Sequence, residues 1–309
     1  MAPIIVLGSL NMDIAALGPR LPQPGETLRG SHFHSAPGGK GANQAYAAAK
    51  LGGAGCAAML GRVGDDEFGR QMIANLVAAG CGIEGVRTIA GPSGVALILI
   101  AESGENCIVV VPGANDAFTP QHIAADAQLL RGARFALLQL EVPLATTLAG
   151  ATAARAAGLE VILDPAPAPE HLPAQLLKFV DVLTPNESEA TLLVGRKPAD
   201  VSVDEARAIA GELQSRGVRH IIIKLGAKGC LLLEGGTATH VPAPMVKAVD
   251  STGAGDIFNA AYAVACAEGS SRLDACQFGV HAAALSATRM GCQASVPQRA
   301  ELDAYLRQT

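Results

Sequence analysis

The stretch richest in usable chemistry in this 309-residue chain is Asp250-Ser251-Thr252-Gly253-Ala254-Gly255-Asp256, which opens the apolar run IFNAAYAVACA. Small residues let a backbone approach a ligand closely. The first N–H groups of a helix lack intrahelical partners and sit at the positive end of its dipole. Together these features make an anion site. A carboxylate in the same turn is at odds with plain anion binding, because Asp256 would repel a phosphate. It makes sense if Asp256 takes a proton from a hydroxyl that attacks the phosphate, a role in which a placed base contributes roughly 10²–10⁴-fold. The plainer alternative is a capped helix with an acid in its first turn.

Four further stretches carry polar groups at the start of a helix or the end of a strand. In Pro37-Gly38-Gly39-Lys40-Gly41-Ala42-Asn43-Gln44-Ala45, glycines let main-chain amides meet a polar ligand, and Lys40 and Asn43 add donors. It is not a P-loop: His34 stands where the first Gly of GxxxxGK[ST] belongs, and Gly41 follows the Lys. Asn11 and Asp13 follow the first apolar strand and share one side of an extended chain, where an amide and a carboxylate suit a polyol. An Asx turn explains them equally well. In Thr184-Pro185-Asn186-Glu187-Ser188-Glu189 an acid could orient hydrated Mg²⁺, or the residues simply cap a helix. Lys224-Leu225-Gly226-Ala227-Lys228-Gly229 ends a strand in a glycine turn suited to nucleotide phosphates or to no ligand at all. Gly53-Ala54-Gly55 lies after a helix and before a strand, the wrong order for a dinucleotide fingerprint. His32 and His34 have no third metal ligand nearby in sequence.

These groups need a scaffold, and apolar periodicity supplies one. Nearly unbroken apolar strands are predicted at 4–7, 57–60, 135–138, 161–163, 180–183 and 221–225. Helical patterns lie at 43–51, 67–79, 144–157, 186–194 and 203–215. Such alternation predicts an α/β fold with a doubly wound, mainly parallel sheet and helices on both faces. Two segments break the rule. Residues 12–36 hold PRLPQPGET and a polar strand-like run, and 95–111 read as a hairpin about ESGEN. Together they predict a small antiparallel lid, with an edge hairpin as the alternative. The final third carries long helical patterns at 253–267 and 273–290.

Composition narrows the function. With 50% apolar and 17% charged residues the chain can build a large core, so global disorder is excluded. Its formal charge is −5 and no basic block stands out, so neither a nucleic-acid nor a polybasic membrane partner is expected. No apolar run approaches a membrane span, and the start of the chain lacks a basic n-region, so no signal peptide is expected. Seven cysteines without a CxxC suggest reduced thiols and a cytoplasmic protein.

The chain resembles the ribokinase-like (PfkB) carbohydrate kinase family nearly end to end, in GSLNMD, PQPGET, GGKGANQA, QLEVPL, DPAPA, TPNESEA, KLGAKG, DSTGAGDIFNAA and ATRMGCQASVP. DSTGAGD with TPNE carries the family; GGKGANQA with SLNMD points to its ribose-phosphorylating branch. The resemblance implies ATP-dependent phosphorylation of D-ribose at the 5-hydroxyl, giving D-ribose 5-phosphate and ADP. It implies a ribokinase-like core over 1–11, 37–94 and 112–309, and a β-lid over 12–36 and 95–111 that forms a homodimer contact. Asp256 is implied as catalytic base, with Gly253, Ala254 and Gly255 as anion hole. Asn11, Asp13, Gly39, Lys40, Asn43 and Glu141 match sugar-contacting positions. Asn186, Lys224, Gly226 and Gly229, with Gly255, fall on the ATP side, and Glu189 belongs to an element associated with Mg²⁺ and phosphate. Asp250, Thr252, Ser286, Arg289, Gly291 and Ser295 match a loop for K⁺. Lys224 stands where some members have Thr, Asp164 replaces a frequent Asn, and Val280 lacks a polar match at the adenine edge. A different sugar such as 2-deoxyribose, a nucleoside, or a non-catalytic sugar sensor are the alternatives. Few aromatics argue against a nucleoside, although Phe33 lies on the expected lid, and an intact Asp256 argues against a sensor.

Overall fold

The computed structural model describes residues 2–307. In chain order the elements are β1 (Ile4–Leu7), β2 (Asn11–Gly18), β3 (His32–Gly38), α1 (Lys40–Gly52), β4 (Ala57–Gly64), α2 (Glu67–Ala78), β5 (Gly82–Ile89), β6 (Gly94–Ala101) and β7 (Asn106–Val111). There follow α3 (Pro120–Asp126), β8 (Phe135–Leu138), α4 (Leu144–Ala156), β9 (Glu160–Leu163), α5 (Ala174–Leu177), β10 (Val182–Leu183), α6 (Glu187–Leu193) and α7 (Val203–Gln214). The chain closes with β11 (His220–Lys224), β12 (Cys230–Glu234), β13 (Thr237–Val241), α8 (Ala254–Ala267), α9 (Arg272–Ser286) and α10 (Arg299–Leu306).

Nine strands form one sheet in the order β13-β12-β11-β10-β9-β8-β1-β4-β5. It is parallel from β11 through β5, and β12 and β13 add an antiparallel edge. Because side chains alternate along a strand, Ile4 and Val6 of β1 enter one core, with α1, α8 and α9. Ile5 and Leu7 enter the other, with α4 and α7. Burial on both faces is why these strands read as unbroken apolar runs. The helices bring matching stripes. In α7, Ser202 and Glu205 form a capping box, and buried Ala206, Ile209, Ala210 and Leu213 repeat at helical spacing. Among the described residues no helix is long and apolar enough to cross a membrane.

Several boundaries differ from expectation. The strand expected at 57–60 runs on to Gly64 because Arg62 is buried inside it. Its guanidinium meets Asp126 at 3.2 Å and lies 4.6 Å from the Phe118 ring centroid. A paired, ring-stacked arginine behaves as core, which a charge count along the strand misses. Strand β5, with its two glycines and alternating polar residues, gives no strong apolar run. The strand expected at 180–183 shrinks to Val182–Leu183. The helix expected at 273–290 ends at Ser286. There the carbonyl of Ala287 turns to accept the N–H groups of Val249 and Asp250 at 2.7 and 3.1 Å.

A separate four-stranded sheet has the order β3-β2-β6-β7. The hairpin about 102–105 forms as expected, with β6 antiparallel to β7. The lid is not wholly antiparallel, however: β2 and β6 run parallel. The reason lies in the core. Strands β1 and β5 are parallel members of one sheet, so the chain leaves both at the same edge and enters β2 and β6 in the same direction. Only residues 8–10 separate β1 from β2, and β3 runs through Gly39 straight into α1. The lid strands therefore end on the groups singled out in the sequence.

Candidate active site

Helix α8 supplies the centre. Its N-cap Gly253 has φ 75°, a left-handed conformation that L-residues rarely adopt. That turn sets the N–H groups of Ala254 and Gly255 ahead of Asp256, which is only 5% exposed. Two amides hold the carboxylate: Asn43 Nδ2 donates to Oδ2 and Gln44 Nε2 to Oδ1, each at 3.0 Å. Both amides are locked in orientation. Gln293 Nε2 donates to Asn43 Oδ1 at 2.9 Å, and Gln139 Nε2 to Gln44 Oε1 at 2.7 Å. Their NH₂ groups therefore face Asp256, and the pocket is built for a group that only accepts. Burial nevertheless raises the Asp256 pKa and the Asp164 charge adds to it, against Lys40 and the two amides. A buried carboxylate with raised proton affinity is suited to take a proton.

Lys40 opens α1 after Gly39, whose φ of 86° turns the chain off the lid strand. Burial opposes the Lys40 charge, but Asp256, Asp164, Glu141 and Glu189 outweigh it and raise its pKa. On the lid side, Asp13 is pushed up to about 7, first by burial and then by Glu141 and Asp256. Asn11 is 2% exposed, and its Oδ1 accepts from Asn115 Nδ2 at 2.8 Å, which leaves its own NH₂ as the donating end. Glu141 Oε2 accepts from Ser9 Oγ at 2.5 Å and from the Lys40 N–H at 2.9 Å, so it ties the start of α1 to the end of β1. Asn43, expected on the sugar, spends both ends of its amide on Asp256 and Gln293.

A cavity of about 390 Å³ lies on the other side of Asp256. Its walls include Lys40, Asp164, Asn186, Glu189, Lys224 and Gly226, with residues 253–256 at one end. The helix-capping alternative for TPNESE is present: Asn186 Oδ1 accepts the Glu189 N–H, and Glu189 Oε2 accepts the Asn186 N–H, each at 2.8 Å. The same two residues face the cavity, so the cap also fixes them there. Burial raises the Glu189 pKa, with Lys224 opposing. Gly229 is not a wall: a Cβ on it would lie 2.0 Å from the Val241 carbonyl, so it serves the packing of β12 against β13. Lys224 Nζ meets Asp164 Oδ1 at 3.0 Å. The two departures from the family pattern nearest the phosphate side are therefore each other's partner.

Around the turn before α8, the Asp250 carboxylate accepts from the N–H groups of Thr252 and Gly291, both at 2.9 Å. Burial works against its charge, yet these bonds hold its carboxyl below the usual range. Ser286 and Ser295 hydroxyls donate to their own local carbonyls, and Arg289 pairs with Glu301. Among the described residues no cluster of three or more His, Cys, Asp or Glu is placed to hold a metal ion. Sequence reasoning gave no site role to Ser9, Gln44, Asn115, Gln139 or Gln293. Ser9, Gln44, Gln139 and Gln293 lie inside the segments GSLNMD, GGKGANQA, QLEVPL and ATRMGCQASVP, and Asn115 lies in none of the quoted segments.

Residues 1–299 match the model for "pfkB family carbohydrate kinase". The chain belongs to the pfkB family of carbohydrate kinases. Within that family it is 37% identical over 304 residues to ribokinase of Haemophilus influenzae, covering 98% of each chain. It has the same identity and coverage to deoxyribokinase of Salmonella typhi. Among solved pfkB-type structures, Arabidopsis thaliana ribokinase complexed with ribose and ATP superposes with a TM-score of 0.91, at 34% identity over 99% of both chains. Ribokinase of Thermotoga maritima gives a TM-score of 0.90 at 38% identity, over 99% of this chain and 100% of the other. Asp256, in the first turn of α8, lines the cavity.

Proposed function

We propose that this protein transfers the γ-phosphoryl group of ATP to the 5-hydroxyl of D-ribose, giving D-ribose 5-phosphate and ADP. One observation carries the reading: a buried carboxylate, held by two oriented amides, lines a cavity at the head of α8 and stands beside the polar groups Lys40 and Asp13 that the lid strands bring to it. Ribose lies on the lid side against Asn11, Asp13, Gly39 and Lys40, with Glu141 behind them. ATP lies along Asn186, Lys224 and Gly226. Asp256 takes the hydroxyl proton while the oxygen forms its bond to the γ-phosphorus and the bond to the ADP oxygen breaks. The N–H groups at Gly253, Ala254 and Gly255 meet the charge on the transferring group. Catalysis of this kind is mostly positioning and electrostatics.

Two ions fit the donors present. Carboxylate and amide oxygens suit Mg²⁺, which keeps several waters, and Glu189 with Asn186 would hold it. When bound it would neutralise phosphate charge. For K⁺, Asp250 offers a standing negative charge beside a loop rich in carbonyls. Thr252, Ser286, Arg289, Gly291 and Ser295 complete that loop.

Turnover of ATP to ADP across ribose, 2-deoxyribose, fructose, xylose, adenosine and no sugar tests the reading. Ribose is expected to lead in kcat/KM, with K⁺ activating over Na⁺ at fixed ionic strength. The equal identity to a deoxyribokinase makes 2-deoxyribose the second reading, and its lead would move the substrate while keeping the chemistry. A flat response to the cation would remove the K⁺ loop. Ribose binding with no turnover of any sugar would favour a sensor. Seven unpaired thiols accord with a cytoplasmic setting.

The same reading extends to a homodimer through the lid. Leu97, Val109 and Leu99 sit on one face of β6–β7 and are 45%, 56% and 40% exposed. An apolar face of this kind marks an interaction surface. Val109→Lys is expected to yield monomers in sedimentation velocity where the unaltered protein sediments as a dimer.

A further inference from the structure

Resting on the kinase reading above, we propose that Asp164 is a positioning residue that indexes the cation of the phosphoryl site to the base of the hydroxyl site. It follows the end of β9, is 2% exposed, and divides its carboxylate between the two sites. Oδ1 takes the Lys224 ammonium at 3.0 Å, and Oδ2 accepts from Gln44 Nε2 at 3.0 Å. The same Gln44 nitrogen donates its second hydrogen to Asp256 Oδ1, also at 3.0 Å. Gln139 fixes the other end of that amide, so Gln44 cannot turn away from either carboxylate.

The cation is aimed where phosphoryl charge would develop. Lys224 Nζ lies 3.4 Å from the point a Cβ on Gly255 would occupy, beside the head of α8. An ammonium has three N–H donors. Holding one on Asp164 leaves the others for a phosphate without releasing the anchor. A long flexible side chain thus arrives pre-oriented, which removes ordering cost at the moment of binding. Asp164 also acts on the base through charge. The charged and titratable groups facing Asp256 are Lys40 on α1, Asp13 on β2, Asp164 after β9 and Cys292 on the loop before α10. Of these Asp164 is the one whose charge is masked by a partner on the nucleotide side.

A double-mutant cycle with Asp164→Asn and Lys224→Met tests this, read first as ADP affinity by calorimetry without sugar, then as kcat, KM and pH dependence. Each single variant is expected to weaken ADP binding. The double variant should fall short of the product of the two losses by at least about five-fold, as coupled residues do. Loss of the Asp164 charge should move the acid limb of kcat to lower pH, and loss of Lys224 should unmask Asp164 and move it to higher pH. Ribose affinity should hardly change. Losses that multiply to within about two-fold, together with unmoved limbs, would overturn the proposal. If Asp164→Asn does not fold, Lys224→Met decides alone: an acid limb moved upward supports the assignment and an unmoved one sinks it. Because ADP affinity needs no sugar, a wrong substrate leaves the cycle intact.

Discussion

Asp256→Asn is expected to lower kcat by at least roughly 10²-fold, the low end for removal of a general base, while fold and ribose binding persist. The pH profile makes the result specific. Burial raises the Asp256 pKa above the ordinary 3.8, and the base works only when deprotonated. Activity of the unaltered protein should therefore fall as pH drops through that raised value, at higher pH than an exposed aspartate would give. The variant has no carboxylate at 256 to protonate, so the part of the acid limb that belongs to Asp256 should vanish from its residual activity, leaving that of Asp13. Near-normal turnover, or an unchanged limb, would take Asp256 out of the role. A melting curve and a ribose titration separate lost chemistry from lost structure.

Gly253→Ala should nearly abolish turnover through two separate effects. Its φ of 75° costs an L-residue about 1–2 kcal/mol. A Cβ there would also lie 1.9 Å from Cys292 Sγ and 3.0 Å from Cys292 Cβ. Either the loop at 292 or the first turn of α8 must yield, and that turn carries the N–H groups proposed above to meet the transferring group. Misplacement by about 1 Å can cost 10²-fold. Cys292→Ala alone removes only the sulfur and should leave kcat near normal. Combined with Gly253→Ala it should recover part of the loss, because the contact is relieved while the backbone cost remains. Wild-type turnover in Gly253→Ala would show that this turn does not bind the transferring group.

The sequence discloses what is local. Glycines and small residues before a helix, an acid in its first turn, and strands with both faces buried leave short-range patterns. Asp256, Lys40, Asn186 and the central strands are therefore visible before any coordinates. That Asn43 and Gln44 orient Asp256 is not, although Asn43 stands out as a donor, since they lie 213 and 212 residues away from it in sequence. Gln139 and Gln293 lie in segments that carry the family resemblance, QLEVPL and ATRMGCQASVP, but only their hydrogen bonds show what they do. Arg62 fails in the opposite sense: its charge argues for a surface, and its partner Asp126 and the Phe118 ring, both distant in sequence, make it core. Edge strands such as β5 and β13 bury less and so leave weaker apolar signals.

The network around Asp256 also sets when activity can first exist. Asn43 is emplaced by Gln293 across 250 residues of chain, and the base itself lies in the last fifth of the sequence. A ribosome must release almost the whole polypeptide before the amide at 43 has anything to orient. Contacts of such long range are slow to form and pay loop closure first. Nascent or C-terminally truncated chains can build much of the sheet and still phosphorylate nothing, which makes the first appearance of turnover a clock for completed folding.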